Sequence, residues 1–194
     1  MNEDKTVSAI VPLFNEGKTV GRVVKALIGS GSLSEIIFIN DGSTDDSLEV
    51  LRGFGNQIKI INFKKNHGKG RAVAEGIRRA RGKFLFLCDA DLLHFRPDHV
   101  KAILAPVLSG RAKASFGVPT VDNHGKVIRY LKNQVYLAGE RVYPREVLLP
   151  HLDKLGRTKG AGGSEVILNT IFKAKDICVV KLKGLAKPSK EQKW

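Results

Sequence analysis

A chain of 194 residues is long enough to bury a core without disulfide or metal staples, and an apolar share of 42% beside 27% charged residues excludes a disordered or fibrous polymer. The 33 Lys and Arg outweigh 19 Asp and Glu to leave a formal charge of +14, which points to an anionic partner: a nucleotide, a nucleic acid, a phospholipid surface or a phosphorylated acceptor. No apolar run approaches the roughly 20 residues that span a bilayer, and the opening Met1-Asn2-Glu3-Asp4-Lys5 is unlike a secretory signal, so the expected location is the cytoplasm or, peripherally, the cytoplasmic membrane face.

Residues 6–11 read as a first strand that Pro12 closes, because proline cannot donate to a sheet ladder. The loop Pro12-Leu13-Phe14-Asn15-Glu16-Gly17 leads to a helix whose apolar stripe is Val20, Val23, Val24, Leu27 and Ile28, ended by Gly29-Ser30-Gly31-Ser32. Residues 35–39 form the second strand. In the loop after it, Asn40-Asp41-Gly42-Ser43-Thr44-Asp45-Asp46, Ser43 and Asp46 have capping-box spacing for a short helix bearing Leu48 and Leu51. Residues 58–63 give a third strand, then a basic glycine-containing loop, Lys64-Lys65-Asn66-His67-Gly68-Lys69-Gly70, opens a helix with Ala72, Val73, Gly76, Ile77 and Ala80 on one side.

The run Phe84-Leu85-Phe86-Leu87-Cys88 is five apolar residues without interruption, the pattern of a strand covered on both faces of a parallel sheet. It ends in Asp89-Ala90-Asp91. Two carboxylates one residue apart make a hard oxygen site suited to Mg²⁺ or Mn²⁺, although so short a pattern also occurs as a plain acidic turn. Four strands alternating with three amphipathic helices predict βαβ units and a parallel sheet, with the loops after strands one, two and four sharing its carboxyl edge. If the strand order reverses between the first and fourth strands, a crevice opens there.

Pro97 suits the first turn of a helix with Val100, Ile103, Leu104, Val107 and Leu108, and residues 112–118 read as a fifth strand. A turn at Asn123-His124-Gly125, a helix over 129–136, a strand over 138–143 and a short helix over 144–149 follow. The glycine loop Gly160-Ala161-Gly162-Gly163 leads to Ser164, an expected N-cap of a helix through Lys173. Residues 177–182 close as a strand, and 183–194 read as a mobile basic tail. Cys88 and Cys178 lie in apolar runs and read as buried thiols of a reducing compartment.

Pro12-x-x-Asn15-Glu16, Asn40-Asp41-Gly42-Ser43-Thr44-Asp45, Asn66-x-Gly68-Lys69-Gly70, and Ala80-x-Gly82 followed by Asp89-Ala90-Asp91 occur in this order and spacing. Together they resemble the family 2 glycosyltransferases of GT-A fold, nearest the dolichyl or polyprenyl phosphate sugar synthases. The resemblance implies a mostly parallel α/β sheet flanked by helices on both faces, in one catalytic domain. Residues 1–95 would bind the nucleotide sugar, 96–182 the acceptor, and 183–194 would form the flexible tail.

The resemblance further implies an inverting, metal-dependent transfer of a hexosyl group from a UDP- or GDP-sugar to an acceptor, including a lipid phosphate at the membrane surface. Pro12, Phe14, Asn15 and Glu16 would contact base and ribose, and Asp41 the base edge. Asp89 and Asp91, with Ala90 between them, would hold the Mg²⁺ or Mn²⁺ that bridges the diphosphate, and Lys69 would add a second cation. Glu165 is the expected general base for a hydroxyl acceptor, or alternatively a favourable charge at a helix start. Arg129, Lys132, Arg141 and the tail are candidate acceptor clamps, while Leu93 stands where relatives carry a polar residue and His94 reads as a surface side chain.

Two other classes compete. A sugar-nucleotide pyrophosphorylase would carry a glycine-rich basic signature after the first strand, where Pro12-Leu13-Phe14-Asn15-Glu16 stands instead. A basic nucleic-acid-binding domain is disfavoured because aromatic residues are not interleaved with the basic runs.

Overall fold

In a computed structural model of the chain, residues 5–120, 139–158 and 163–186 are described. Seven strands, β1 (Val7–Leu13), β2 (Glu35–Asn40), β3 (Lys59–Asn62), β4 (Phe84–Leu87), β5 (Ala114–Pro119), β6 (Glu140–Pro144) and β7 (Ile177–Leu182), form one sheet in the order β3-β2-β1-β4-β6-β5-β7. The helices are α1 (Gly17–Gly29), α2 (Ser47–Arg52), α3 (Lys69–Arg79), α4 (Pro97–Leu108), α5 (Arg145–Leu148), α6 (Leu152–Gly156) and α7 (Gly163–Leu168).

Every residue of β1 is buried, as expected of a strand with helices on both faces. One face is packed by the Val20, Val23, Val24 and Leu27 stripe of α1, by Leu51 of α2 and by Val100, Ile103 and Leu104 of α4. The other is packed by Ala72, Val73 and Ile77 of α3 together with Leu148, Leu155 and Leu168 from α5, α6 and α7. Strands β3, β2, β1 and β4 are parallel, whereas β6 runs against both β4 and β5, and β5 is parallel to β7. The chain builds outward from β1 to β3, then α3 carries it back across the sheet to β4 on the other side of β1. This is the expected reversal, and it opens the carboxyl edge between β1 and β4.

Several expectations need correction. Pro12 does not close its strand, because it pairs with Ile39 inside β1. Its missing N–H is harmless there: the Ile10 carbonyl takes the Cys88 N–H, so Pro12 faces the same side two residues on, beyond the last paired residue of β4. The capping box at Ser43 and Asp46 does not form. Ser43 Oγ instead accepts the Asn15 N–H at 2.9 Å, and α2 starts at Ser47, whose N–H goes to Asp45 Oδ1 at 3.0 Å.

The helix expected from Ser164 to Lys173 ends at Leu168. Tertiary contacts take over: Arg141 Nη1 donates to Asn169 Oδ1 at 2.7 Å, and Phe172 stacks on Tyr143 with centroids 6.1 Å apart. Ser164 lies inside this helix and is not its cap. Residues 183–186 are not a loose tail, since Leu93 and Ala186 exchange backbone hydrogen bonds of 2.8 and 3.1 Å and Leu185 is fully buried. The turn at 123–125, the helix over 129–136 with Arg129 and Lys132, residues 160–162 of the glycine loop and the tail beyond 186 lie outside the described residues.

Candidate active site

A cleft of about 440 Å³ opens at the carboxyl edge between β1 and β4, a capacity within the range of small-molecule sites. The ends of β1, β2 and β4 and the start of α3 supply its walls, because those are the segments that the strand reversal leaves without a neighbour. Of the expected nucleotide-sugar residues, Pro12, Phe14, Glu16, Asp41, Lys69, Asp89, Ala90 and Asp91 all line it. Leu13, Asn66, Gly68 and Ala72 line it as well; of these, Asn66 and Gly68 belong to a motif legible in the sequence, while Leu13 and Ala72 carry no signal beyond their apolar character.

Asn15 is the expected ligand residue that does not line the cleft. Its backbone sits in the left-handed region, with φ at 56°, which asparagine tolerates better than most residues. From there its Oδ1 accepts the Thr44 N–H at 2.8 Å while its own N–H goes to Ser43 Oγ. Glu16 N–H donates to Ser47 Oγ at 2.8 Å and Gly17 N–H to Asp45 Oδ2 at 3.0 Å. The loop after β1 is thus laced to the loop after β2, which presents Phe14, 41% exposed, at the cleft rim.

Asp41 is 3% exposed, and its two oxygens accept the His67 and Gly68 N–H groups at 2.8 Å each. It therefore ties the loop before α3 to β2, and a carboxylate with about four acceptor positions keeps capacity for a ligand donor. Asn40, its neighbour, is turned into the sheet end and donates to Asn62 Oδ1 at 2.7 Å. Gly68 has φ at 95°, a conformation open to glycine, and this bend starts α3 with Lys69 in its first turn.

A lysine there is unfavourable for the helix dipole. Two acids from distant parts of the chain compensate: Lys69 Nζ donates to Asp89 Oδ1 at 2.9 Å and to Glu165 Oε1 at 2.6 Å. Burial alone would push the Lys69 ammonium down, but the charges of Asp89 and Glu165 raise it above its ordinary value. Burial would push Glu165 up, yet the Lys69 charge and hydrogen bonds from Lys69 and Ser164 hold it below the usual carboxylate range. Glu165 is 7% exposed and stands beneath the cleft, in a second space of about 10 Å³, room for roughly one water.

That inner space is also lined by Arg141 and Gly139. Arg141, a candidate acceptor clamp, is 1% exposed, with its guanidinium 4.5 Å from the centroid of the Phe116 ring. Gly139 was not legible as a site residue, because its importance depends on the antiparallel register. Leu87 pairs with Arg141, so two residues on, Asp89 comes opposite Gly139. A Cβ at 139 would sit 2.0 Å from Asp89 Oδ2 and would force this carboxylate to turn away. His94 is exposed, as expected of a surface side chain.

The acidic edge fits a divalent cation. Asp89 and Asp91 are hard oxygen donors on the same cleft, and Mg²⁺ characteristically takes one or two carboxylates and completes its shell with phosphate oxygens and water. Among the described residues no group of three or more His, Cys, Asp or Glu gathers, so a nucleotide diphosphate would have to supply much of that shell.

Comparison with known proteins gives a consistent result. The Glycosyl transferase family 2 model matches residues 8–172. A dodecaprenyl-phosphate galacturonate synthase of Rhizobium johnstonii (strain DSM 114642 / LMG 32736 / 3841) is 35% identical over 94 residues, covering 44% of this chain and 28% of that protein. An undecaprenyl-phosphate 4-deoxy-4-formamido-L-arabinose transferase of Edwardsiella ictaluri (strain 93-146) is 30% identical over 103 residues, covering 47% and 32%. In both, the matched stretch spans less than a third of the relative. Among solved structures, glucosyl-3-phosphoglycerate synthase from Mycobacterium tuberculosis in complex with Mn²⁺ and uridine-diphosphate-glucose superposes with a TM-score of 0.75 at 21% identity, covering 96% of this chain and 72% of that one. At that identity the likeness establishes the fold, a GT-A-type α/β sheet.

Proposed function

Because this chain belongs to glycosyl transferase family 2, we propose that it moves a hexosyl group, with inversion, from a nucleoside-diphosphate sugar to a polyprenyl phosphate. The observation that carries the proposal is the 440 Å³ cleft at the strand reversal, with Asp89, Asp91 and Lys69 on its walls. The named relatives act on polyprenyl phosphates, and the structural neighbour binds UDP-glucose with Mn²⁺. Both inform the choice of substrates.

In this reading the loop at Pro12, Phe14 and Glu16, with Asp41, receives the nucleoside. Asp89 and Asp91 hold Mg²⁺ or Mn²⁺, which when bound offsets the charge that gathers on the departing diphosphate. Asn15 acts through the loop it holds. The acceptor oxygen attacks the anomeric carbon from the face opposite the diphosphate; a new C–O bond forms as the bond between the anomeric carbon and the diphosphate oxygen breaks, and the nucleoside diphosphate leaves with that oxygen and the bonding pair.

Glu165 is a general base only if it parts from Lys69. With its pKa lowered and an ammonium 2.6 Å away, it is a weak proton acceptor. That favours an acceptor that is already ionised, such as a phosphate, for which positioning and electrostatics suffice. No helix among the described residues is long and apolar enough to cross a membrane, so this part of the protein would meet a lipid acceptor at the membrane surface.

Thermal unfolding with UDP or GDP, with and without Mn²⁺, followed by turnover with the matching sugar donors and a polyprenyl phosphate, tests the proposal. One nucleoside diphosphate should raise the unfolding midpoint in a Mn²⁺-dependent way, and its sugar donor should be consumed only with acceptor present. A protein that both nucleotides leave unshifted with Mn²⁺ would overturn it.

A further inference from the structure

The ion pairing around Lys69 bears on how a metal enters this site. Lys69 Nζ bridges Asp89, from the end of β4, and Glu165, from α7, which lie 76 residues apart in the chain and are both largely buried, at 16% and 9% side-chain exposure. The bridge is held on each side. Gly70 fixes the first turn of α3 against α6, since a Cβ there would fall 1.9 Å from Thr158 Oγ1 and 2.3 Å from the Leu155 carbonyl. Gly139 backs Asp89 closely: a Cβ there would fall 2.0 Å from Asp89 Oδ2 and displace the carboxylate. The four-carbon stem of Lys69 is the most flexible member of the bridge.

We propose that Lys69 is the resident cation of Asp89, and that a divalent ion entering beside Asp91 takes Asp89 over from it while Lys69 stays anchored to Glu165. The inference rests on the assignment of Asp89 and Asp91 to the metal. The three acids Asp89, Asp91 and Glu165 against Lys69 and the buried Arg141 leave a net of −1, a negative surplus that attracts a divalent ion. Lys69 opposes that ion twice, by occupying an Asp89 oxygen and by like-charge repulsion. The ammonium displaced from Asp89 is turned toward the cleft, where a diphosphate is its natural counter-charge. Metal and nucleotide therefore assist each other: the metal frees Lys69 for the diphosphate, and the diphosphate compensates Lys69 for the loss of Asp89. Lys69 is a positioning residue that makes metal binding depend on nucleotide.

Calorimetric Mn²⁺ titration, alone and with saturating UDP, tests this in wild type, Lys69→Met, Lys69→Arg and Asp91→Ala. For Lys69→Met, Mn²⁺ alone should bind roughly fivefold to tenfold more tightly, and the additional tightening conferred by UDP should shrink by a similar factor. Lys69→Arg, which keeps the charge that opposes the metal, should stay within about twofold of wild type on both measures. Should Lys69→Met not fold, with Glu165 left buried without its partner, Lys69→Met/Glu165→Gln removes that burden and is read in its place. Unchanged or weaker binding of Mn²⁺ alone in whichever of these variants is read overturns the inference, provided Asp91→Ala weakens it. Equal Mn²⁺ binding in wild type and Asp91→Ala overturns the metal assignment itself, and the inference with it.

Discussion

The two ends of the same parallel strands hold similar residues in opposite states. At the amino edge, Glu35 at the start of β2 is 8% exposed in its side chain and accepts from Ser8 Oγ, from the Arg81 N–H and from Lys59 Nζ, each at 2.6 Å. Ser8 Oγ in turn accepts the Gly82 N–H at 2.8 Å. There the acid closes a knot that joins β1, β2 and the approach to β4. At the carboxyl edge, Asp41, Asp89 and Asp91 are set around an open cleft, and Lys69 is shared between two acids from different parts of the chain. Both Glu35 oxygens are occupied within the fold, whereas Asp89 and Asp91 stand on a cavity wall, where a ligand would reach them.

The sharpest way to break that contrast is Asp91→Ala. If the carboxyl edge is the working end, turnover should fall by at least about a hundredfold, the scale on which loss of a charge-stabilising group acts, while the denaturation midpoint stays close to wild type. Steady-state kinetics beside a urea melt read both quantities. Undiminished turnover would mean that the cleft acids are as structural as Glu35.

Much of this contrast was legible in the sequence. Period-3.6 stripes at Val20 to Leu27, Ala72 to Ile77 and Val100 to Val107 marked α1, α3 and α4, an alternation running into a β-branched stretch marked β1 and an unbroken apolar run marked β4, because these elements bury faces set by local spacing. The four motifs fell at the ends of strands one, two and four and at the start of α3, where the cleft lies. What stayed hidden depends on distant partners. The Lys69 to Glu165 pair joins residues 96 apart, and Gly139 matters only through the register of β6 on β4. The early end of α7 follows from Arg141 capturing Asn169, and the failed capping box from Ser43 being taken by Asn15 across 28 residues. Local spacing carries no record of such long-range competition.

Glu35→Ala probes the other end, with a smaller effect of a different kind. Removing the carboxylate leaves the Ser8 hydroxyl and the Arg81 N–H without their acceptor and Lys59 without its counter-ion, so unfolding free energy should fall by about 3 kcal/mol. Mn²⁺-dependent nucleotide binding should be unchanged at temperatures where the variant is folded. The pH dependence follows the same group. Burial would raise the Glu35 pKa, but Lys59, Ser8 and the Arg81 N–H together hold it below its ordinary value. Its contribution is therefore complete above the ordinary carboxylate range and drains away as pH falls through the lowered folded value. Urea melts from neutral pH into the acid range should lose stability less steeply in Glu35→Gln than in wild type.

Lys59→Met is the smallest and most discriminating change, because it removes the partner of the same acid from the solvent side. The Lys59 side chain is 56% exposed against 8% for Glu35, so its ammonium is well hydrated in both folded and unfolded chains and its attraction to Glu35 is screened. After the substitution Glu35 still receives Ser8 Oγ and the Arg81 N–H, and urea unfolding should shift by no more than about 0.5 kcal/mol. A loss comparable with that of Glu35→Ala would mean that the knot at the amino edge is held by charge and not by its buried hydrogen bonds. The amino edge would then differ from the cleft only in lacking a cavity, and not in how its acid is satisfied.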